Sequence, residues 1–123
     1  MSTIKEIEKL EVWQEAKKLG KMIYELANKL PKSEDYNLKR HLKENARGLP
    51  ANIAEGFYRY SKKEKLHFYS IAKGCLGEIK NDVYFAFDIY LEIFKGKLLE
   101  EYFQQIDKVG KKLNKFIITT KNY

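Results

Sequence analysis

Apolar residues recur along this chain at spacings of three and four, the period of one face of an α-helix. In the first stretch the stripe is Val12, Ala16, Leu19, Ile23, Leu26 and Leu30, widened by Leu10, Trp13 and Ala27. Pro31 closes it, because proline lacks an amide donor and pushes its predecessor out of the α region. The second stripe is Leu38, Leu42, Ala46, Leu49, Ile53 and Phe57, preceded by Ser33-Glu34-Asp35, short polar and acidic residues that suit a helix start. Pro50 falls inside it, yet the period resumes beyond, which favours one kinked helix over two. Ser61-Lys62-Lys63-Glu64 has the form of a capping box, the serine accepting from the first turn while Glu64 reaches back to the cap, and predicts a third helix start. Its stripe is Phe68, Ala72, Cys75, Ile79, Val83, Ala86, Tyr90 and Ile93, with Leu76 and Phe87 alongside and Gly96 suited to end it. The last stripe is Leu99, Tyr102, Phe103, Ile106, Val109, Leu113, Phe116 and Ile117.

The pattern predicts helices over about residues 5–30, 35–58, 62–94 and 97–118. Short links make successive helices antiparallel neighbours, so the expected fold is all-α, an up-down-up-down four-helix bundle in one domain, residues 1–123. Tyr84, Phe85, Ile89 and Leu91 fall off the main stripe of the third helix, leaving it apolar over more of its circumference than a monomeric bundle buries. A homo-oligomer covering that second face is therefore expected.

Composition narrows the class. The 123 residues are 44% hydrophobic and 33% charged with two prolines, which fits one helical domain with a core and argues against disorder. The longest apolar run, Val83-Tyr84-Phe85-Ala86-Phe87, is closed by Asp82 and Asp88, far short of the ~20 residues of a membrane span. Met1 to Glu6 lacks the apolar segment of a secretory signal, so a cytoplasmic protein without membrane contact is expected. The single cysteine, Cys75, lies in an apolar stretch and reads as a packed thiol. Net charge is +7 and uneven: residues 31–65 carry nine Lys/Arg against five Asp/Glu, residues 95–123 seven against three, and residues 66–94 two against four. Such an excess suits an anionic partner, nucleic acid being the commonest, although a solvated face has the same composition.

No catalytic chemistry emerges from the spacing. Glu64 and His67 form one Glu-x-x-His pair of the kind two-metal bundles use, but His41 has Leu38 three residues before it, so the second half of such a site is missing. Helical-bundle nucleases pair an arginine with a histidine four to six residues on; Arg59 and His67 have seven residues between them. Phosphate loops, nucleophile elbows and paired-cysteine zinc motifs are absent from the sequence, so a non-enzyme without cofactor or metal is expected. Asn52 and Glu55, in a small apolar stretch before Gly56, read as structural polar groups needing hydrogen-bond partners. Lys39, Arg40, Lys43 and Arg47 line one flank of the second helix; Lys108, Lys111, Lys112 and Lys115 do the same on the fourth. Should these ridges meet in an assembly, they would track phosphates together with Arg59, Lys62 and Lys63, while Tyr58 and Tyr60 could stack on unpaired bases.

Several stretches together resemble one known family, the 23S rRNA intervening sequence proteins, also called S23 ribosomal proteins. The resemblance covers nearly the whole chain. It rests on Leu10-Glu11-Val12-Trp13 with Ala16, Ile23-Tyr24, Leu30-Pro31 with Glu34 and Tyr36, and above all Pro50-Ala51-Asn52-Ile53-Ala54-Glu55-Gly56 followed by Arg59, Ser61 and Glu64. Phe68, Ile71-Ala72, Gly74 and Glu78 extend it. It implies an antiparallel four-helix bundle, encoded in relatives by insertions within ribosomal RNA genes, without established enzymatic activity and assembling as homo-oligomers, commonly pentamers. It also implies kinship with the accessory variability determinant proteins of diversity-generating retroelements, basic pentamers that bind nucleic acid and a reverse transcriptase. Two positions depart from the family pattern: Lys43-Glu44 stands where a paired arginine is usual, and Cys75 where serine is. A protein-interaction scaffold without nucleic-acid contact is the alternative function, suited to the wide apolar faces.

Overall fold

Four apolar stripes become four α-helices in the computed structural model, which describes residues 6–94 and 98–123. They are α1 (Glu11–Asn28), α2 (Leu38–Phe57), α3 (Lys62–Ile89) and α4 (Leu98–Lys121), with one-turn 3-10 segments at Ile7–Lys9 and Lys32–Glu34 and no strand among the described residues. Each helix packs on two others, α1 on α2, α2 on α3, α3 on α4 and α4 on α1, closing a four-cornered bundle. Contacts run in reverse register at every seam: Gly20 and Tyr24 of α1 meet Ala46 and Lys43 of α2, while Tyr69 and Tyr84 of α3 meet Phe116 and Phe103 of α4. The helices are therefore antiparallel neighbours.

The core collects the predicted positions. Leu19, Ile23, Leu26, Leu42, Leu49, Ile53, Ile79, Val83, Val109 and Leu113 are fully buried. Burying a side chain of this kind is worth about 1.5–3 kcal/mol, which is what holds short-linked helices together. One buried polar side chain joins α4 to α1: the Gln105 amide donates to the Glu15 backbone carbonyl at 3.0 Å and to its carboxylate at 2.9 Å.

Several boundaries differ from the periodicity, each for a local reason. The first helix begins at Glu11 rather than near residue 5, because Leu10 is extended (φ −84°, ψ 115°) to bury its side chain, and Lys5 lies outside the described residues. It ends at Asn28 rather than residue 30: the amides of Lys29 and Leu30 bond three residues back, tightening the last turn so that Leu30 folds into the core. Ser33 and Glu34 belong to the separate 3-10 turn, and α2 starts at Leu38, whose amide donates to the Glu34 carboxylate at 3.3 Å. Pro50 sits inside one continuous α2.

The third helix begins as its capping signal predicts, with Ser61 Oγ accepting from the Glu64 amide at 3.1 Å, a contact worth about 1 kcal/mol. Glu64 differs from a full capping box: its carboxylate takes the Ser61 hydroxyl at 3.1 Å instead of the backbone amide. α3 stops at Ile89, five residues short of prediction, because the chain turns at Tyr90 and brings Phe94 back against Phe87, ring centroids 4.8 Å apart. Gly96, expected as the terminator, lies outside the described residues. The buried face of α3 is centred on Tyr69 and Leu76 rather than Phe68 and Cys75, and Ile93 is exposed. α4 continues to Lys121, past the predicted end at residue 118, with the Thr120 hydroxyl bonded to the Phe116 carbonyl.

Candidate nucleic-acid interface

The stretch from Pro50 to Glu64 is a clasp across the α2–α3 turn. Asn52 donates its amide to the Gly48 carbonyl at 2.7 Å, so this half-buried polar group is satisfied within its own helix. Gly56 allows the Tyr69 ring to lie on α2, since a Cβ there would stand 2.6 Å from Tyr69 Cε1. Arg59 bonds Glu55 at 3.0 Å and Glu64 at 3.3 Å and lies over the Phe68 ring at 4.9 Å. Lys65 ends the clasp by donating to the Phe57 carbonyl at 2.7 Å, a cation at the negative end of α2. Arg59, Glu55 and Gly56 thus build the turn, while Asn52 bonds within α2. Tyr58 accepts the Ile7 amide on its hydroxyl at 3.0 Å, and Tyr60 beside it is fully exposed.

Carboxylates occupy much of both predicted basic ridges. On α2, Lys39 pairs with Asp35 at 2.7 Å and Arg40 with Glu44 at 2.9 Å. On α4, Lys111 pairs with Asp107 at 3.0 Å, Lys108 with Glu15 at 3.5 Å, and Lys112 with Glu11. The Lys112 ammonium holds the Glu11 carboxyl below its ordinary range, and the Gln105 amide together with Lys108 does the same for Glu15. Lys62 donates to the Lys121 carbonyl at 3.1 Å, while Lys63 and Lys115 are exposed. Because α2 and α4 occupy opposite corners, the two ridges stay apart within one chain.

Four of the cations without a carboxylate partner among the described residues, Lys17, Lys21, Lys43 and Arg47, lie along the α1–α2 seam. Lys43 lies over the Tyr24 ring at 5.3 Å, and Arg47, one turn further along α2, is exposed. On α1 the Lys17 ammonium lies over the Trp13 ring at 5.2 Å. Trp13, Lys17, Gly20 and Tyr24 fall at spacings of four, three and four, so they share one flank, and exposed Lys21 borders it. Each exposed cation–π contact is worth about 0.5–1 kcal/mol. Sequence reasoning assigned Trp13 to the widened apolar stripe, used Tyr24 only in the family resemblance, and passed over Lys17 and Lys21. The available signal was the repeat of aromatic and basic residues along that flank.

The seam is close because Gly20 has no side chain: a Cβ there would stand 2.8 Å from the Ala46 carbonyl oxygen. That carbonyl is the one Pro50, four residues on, leaves without an amide donor. α1 is thereby seated against α2 at the level of Tyr24 and Lys43.

The opposite side of α2 has another character. Glu34, His41, Asp82, Phe85 and Ile89 line an open cleft of about 300 Å³. The Tyr90 hydroxyl donates to the Glu34 carboxylate, and burial raises the Asp82 carboxyl above its ordinary value. Tyr84, Phe85 and Ile89 on α3 and Leu91 just beyond its end are 50–67% exposed, Tyr84 on the side of Phe103 and Phe85 and Ile89 at the cleft. Cys75 is half-buried, and burial raises its thiol pKa, which disfavours the reactive thiolate. Both histidines are exposed, and no group of three or more metal-ligating side chains occurs among the described residues. No described helix is long and apolar enough to cross a membrane.

In comparisons with known proteins, the model of a family described as 23S rRNA-intervening sequence protein matches residues 8–115. No curated protein matches the chain.

Proposed function

The chain belongs to the 23S rRNA-intervening sequence protein family, and from that premise we propose that it is a non-catalytic, self-associating bundle that binds nucleic acid, RNA or DNA, through its basic helix faces. The observation that carries this reading is a group of four cations, Lys17, Lys21, Lys43 and Arg47, that lie without a carboxylate partner on adjoining helices of a chain with net charge +7, two of them over aromatic rings. Cations in that arrangement displace condensed counterions from a phosphate backbone, so affinity falls with salt. A fluorescence-anisotropy titration with labelled RNA and DNA oligonucleotides at several salt concentrations tests it. Log K should fall linearly with log salt, by about 0.7 per phosphate contacted on a single strand. Absence of binding at low ionic strength, or binding indifferent to salt, refutes it.

Self-association is supported by the exposed Tyr84, Phe85 and Ile89 on α3 and Leu91 just after it. Analytical ultracentrifugation at micromolar concentration should give a mass above the monomer's 14.6 kDa; a monomer refutes that part. The cleft of Glu34 and Asp82 beside the same apolar residues favours a second reading, a scaffold that docks a protein. Pull-downs with and without nuclease separate the two, since a partner bridged by nucleic acid is lost on digestion.

A further inference from the structure

We propose that the α1–α2 flank is a track for single-stranded nucleic acid, on which unpaired bases take the Trp13 and Tyr24 ring faces now covered by Lys17 and Lys43. This rests on the nucleic-acid reading and adds the face, the contacts and the form of the ligand. Both rings lie under an ammonium group, 5.2 Å away at Trp13 and 5.3 Å away at Tyr24. A lysine ends a flexible stem, so its ammonium can leave the ring for a phosphate a few ångströms away while a base replaces it on the π-face. The exchange keeps each ring covered and gains a phosphate contact for each lysine. Lys21 and Arg47 flank the two rings and continue the positive charge on either side.

The form of the ligand follows from where the rings sit. Trp13 and Tyr24 are both half-buried and packed against the core, about 16 Å apart along the α1 axis, at a seam where α1 and α2 nearly touch backbones. A duplex keeps its bases stacked inside and presents only phosphates to such a surface, so it reaches the lysines without reaching the rings. A single strand offers both. The α4 flank lacks this pairing of features: Lys108, Lys111 and Lys112 stand beside Glu15, Asp107 and Glu11, which repel phosphate.

Trp13 is the sole tryptophan, so its fluorescence reports on this flank alone. The full-length protein is titrated with a labelled twelve-nucleotide single strand and with a hairpin duplex, reading oligonucleotide anisotropy and tryptophan emission together. The single strand should bind more tightly and quench Trp13. In the double variant Lys17→Ala, Lys43→Ala the salt slope on the single strand should become shallower by about 1.4, while Lys111→Ala, Lys115→Ala on α4 leaves the quenching unchanged. Circular dichroism confirms that both variants fold. Binding by anisotropy with unchanged Trp13 emission and an unaffected double variant overturns the proposal while leaving nucleic-acid binding standing. Equal binding and quenching by the duplex overturns the single-strand assignment, and no binding of either oligonucleotide at low salt overturns this inference together with the reading beneath it.

Discussion

Replacing Gly20 with alanine sets two rules against each other, and the structure decides between them. Helix propensity alone favours alanine in the middle of α1 by about 1 kcal/mol. The new methyl carbon would stand 2.8 Å from the Ala46 oxygen and 3.7 Å from its carbon, both backbone atoms that cannot swing aside. Overpacking of this kind costs about 1–3 kcal/mol, so Gly20→Ala should come out neutral to about 2 kcal/mol less stable despite its better propensity. Since Pro50 leaves the Ala46 carbonyl without its helical donor, Pro50→Ala should restore that bond and draw the oxygen back toward α2. The two substitutions should then be non-additive, with Gly20→Ala costing less in the Pro50→Ala background. Urea unfolding of the four proteins of this cycle, all at one protein concentration, reads the effect as the midpoint at constant slope. A Gly20→Ala protein about 1 kcal/mol more stable than the parent would show that α1 and α2 do not approach so closely.

Acid should weaken the bundle in a definite window. The Glu11 and Glu15 carboxyls are held below their ordinary value of 4.5 when folded, so the unfolded chain binds more protons there; their stabilisation is full above about pH 4.5 and is lost as pH falls through the lowered values. Thermal melts from pH 6 to pH 3 should show this loss, and Glu15→Gln should flatten it. The same two carboxylates mask the α4 lysines, so Glu11→Gln with Glu15→Gln should tighten nucleic-acid binding and steepen its salt slope in anisotropy titrations; unchanged binding would show that no masking occurs. A Cβ at Gly74 or Gly77 meets open space on the outer face of α3, so alanine at either should add up to about 1 kcal/mol to an isolated chain. If a second copy packs closely there, sedimentation of the same variants should instead show weakened assembly.

The number of helices and their core faces were legible because packing follows from a period, and a period survives local disturbance. Leu19, Ile23, Leu42, Leu49, Ile53, Val109 and Leu113 are buried as the spacing predicts. The ends were less legible, since they depend on single backbone choices. Leu10 trades a helical conformation for burial, and Tyr90 ends α3 so that Phe94 can cover Phe87. On α3 the stripe holds at Ala72, Ile79, Val83 and Ala86, but Tyr69 and Leu76 are buried in place of Phe68 and Cys75, because that helix is apolar on several sides. What settles its orientation is a long-range contact, Tyr69 lying on Gly56 and against Phe116. No window of local sequence contains that pairing.

The basic surface was illegible for a related reason: lysines can be counted along a chain, but their partners lie on other helices. Lys108 and Lys112 look like Lys17 and Lys43 in sequence, each one turn from another cation. They differ because Glu11 and Glu15 face α4 across the α1–α4 seam, whereas the α1–α2 seam offers Lys17 and Lys43 only aromatic rings. The distinction does not lie in how firmly each lysine is held, since an exposed ion pair is worth about 0–1 kcal/mol, the same order as an exposed cation–π contact. It lies in what remains when the lysine turns to a phosphate. An abandoned carboxylate stays within a Debye length of about 8 Å and opposes the phosphate, whereas an abandoned ring is neutral and open to a base whose stacking is worth about 1–3 kcal/mol. One helix pair therefore sets its lysines beside carboxylates, and the other sets them beside neutral rings.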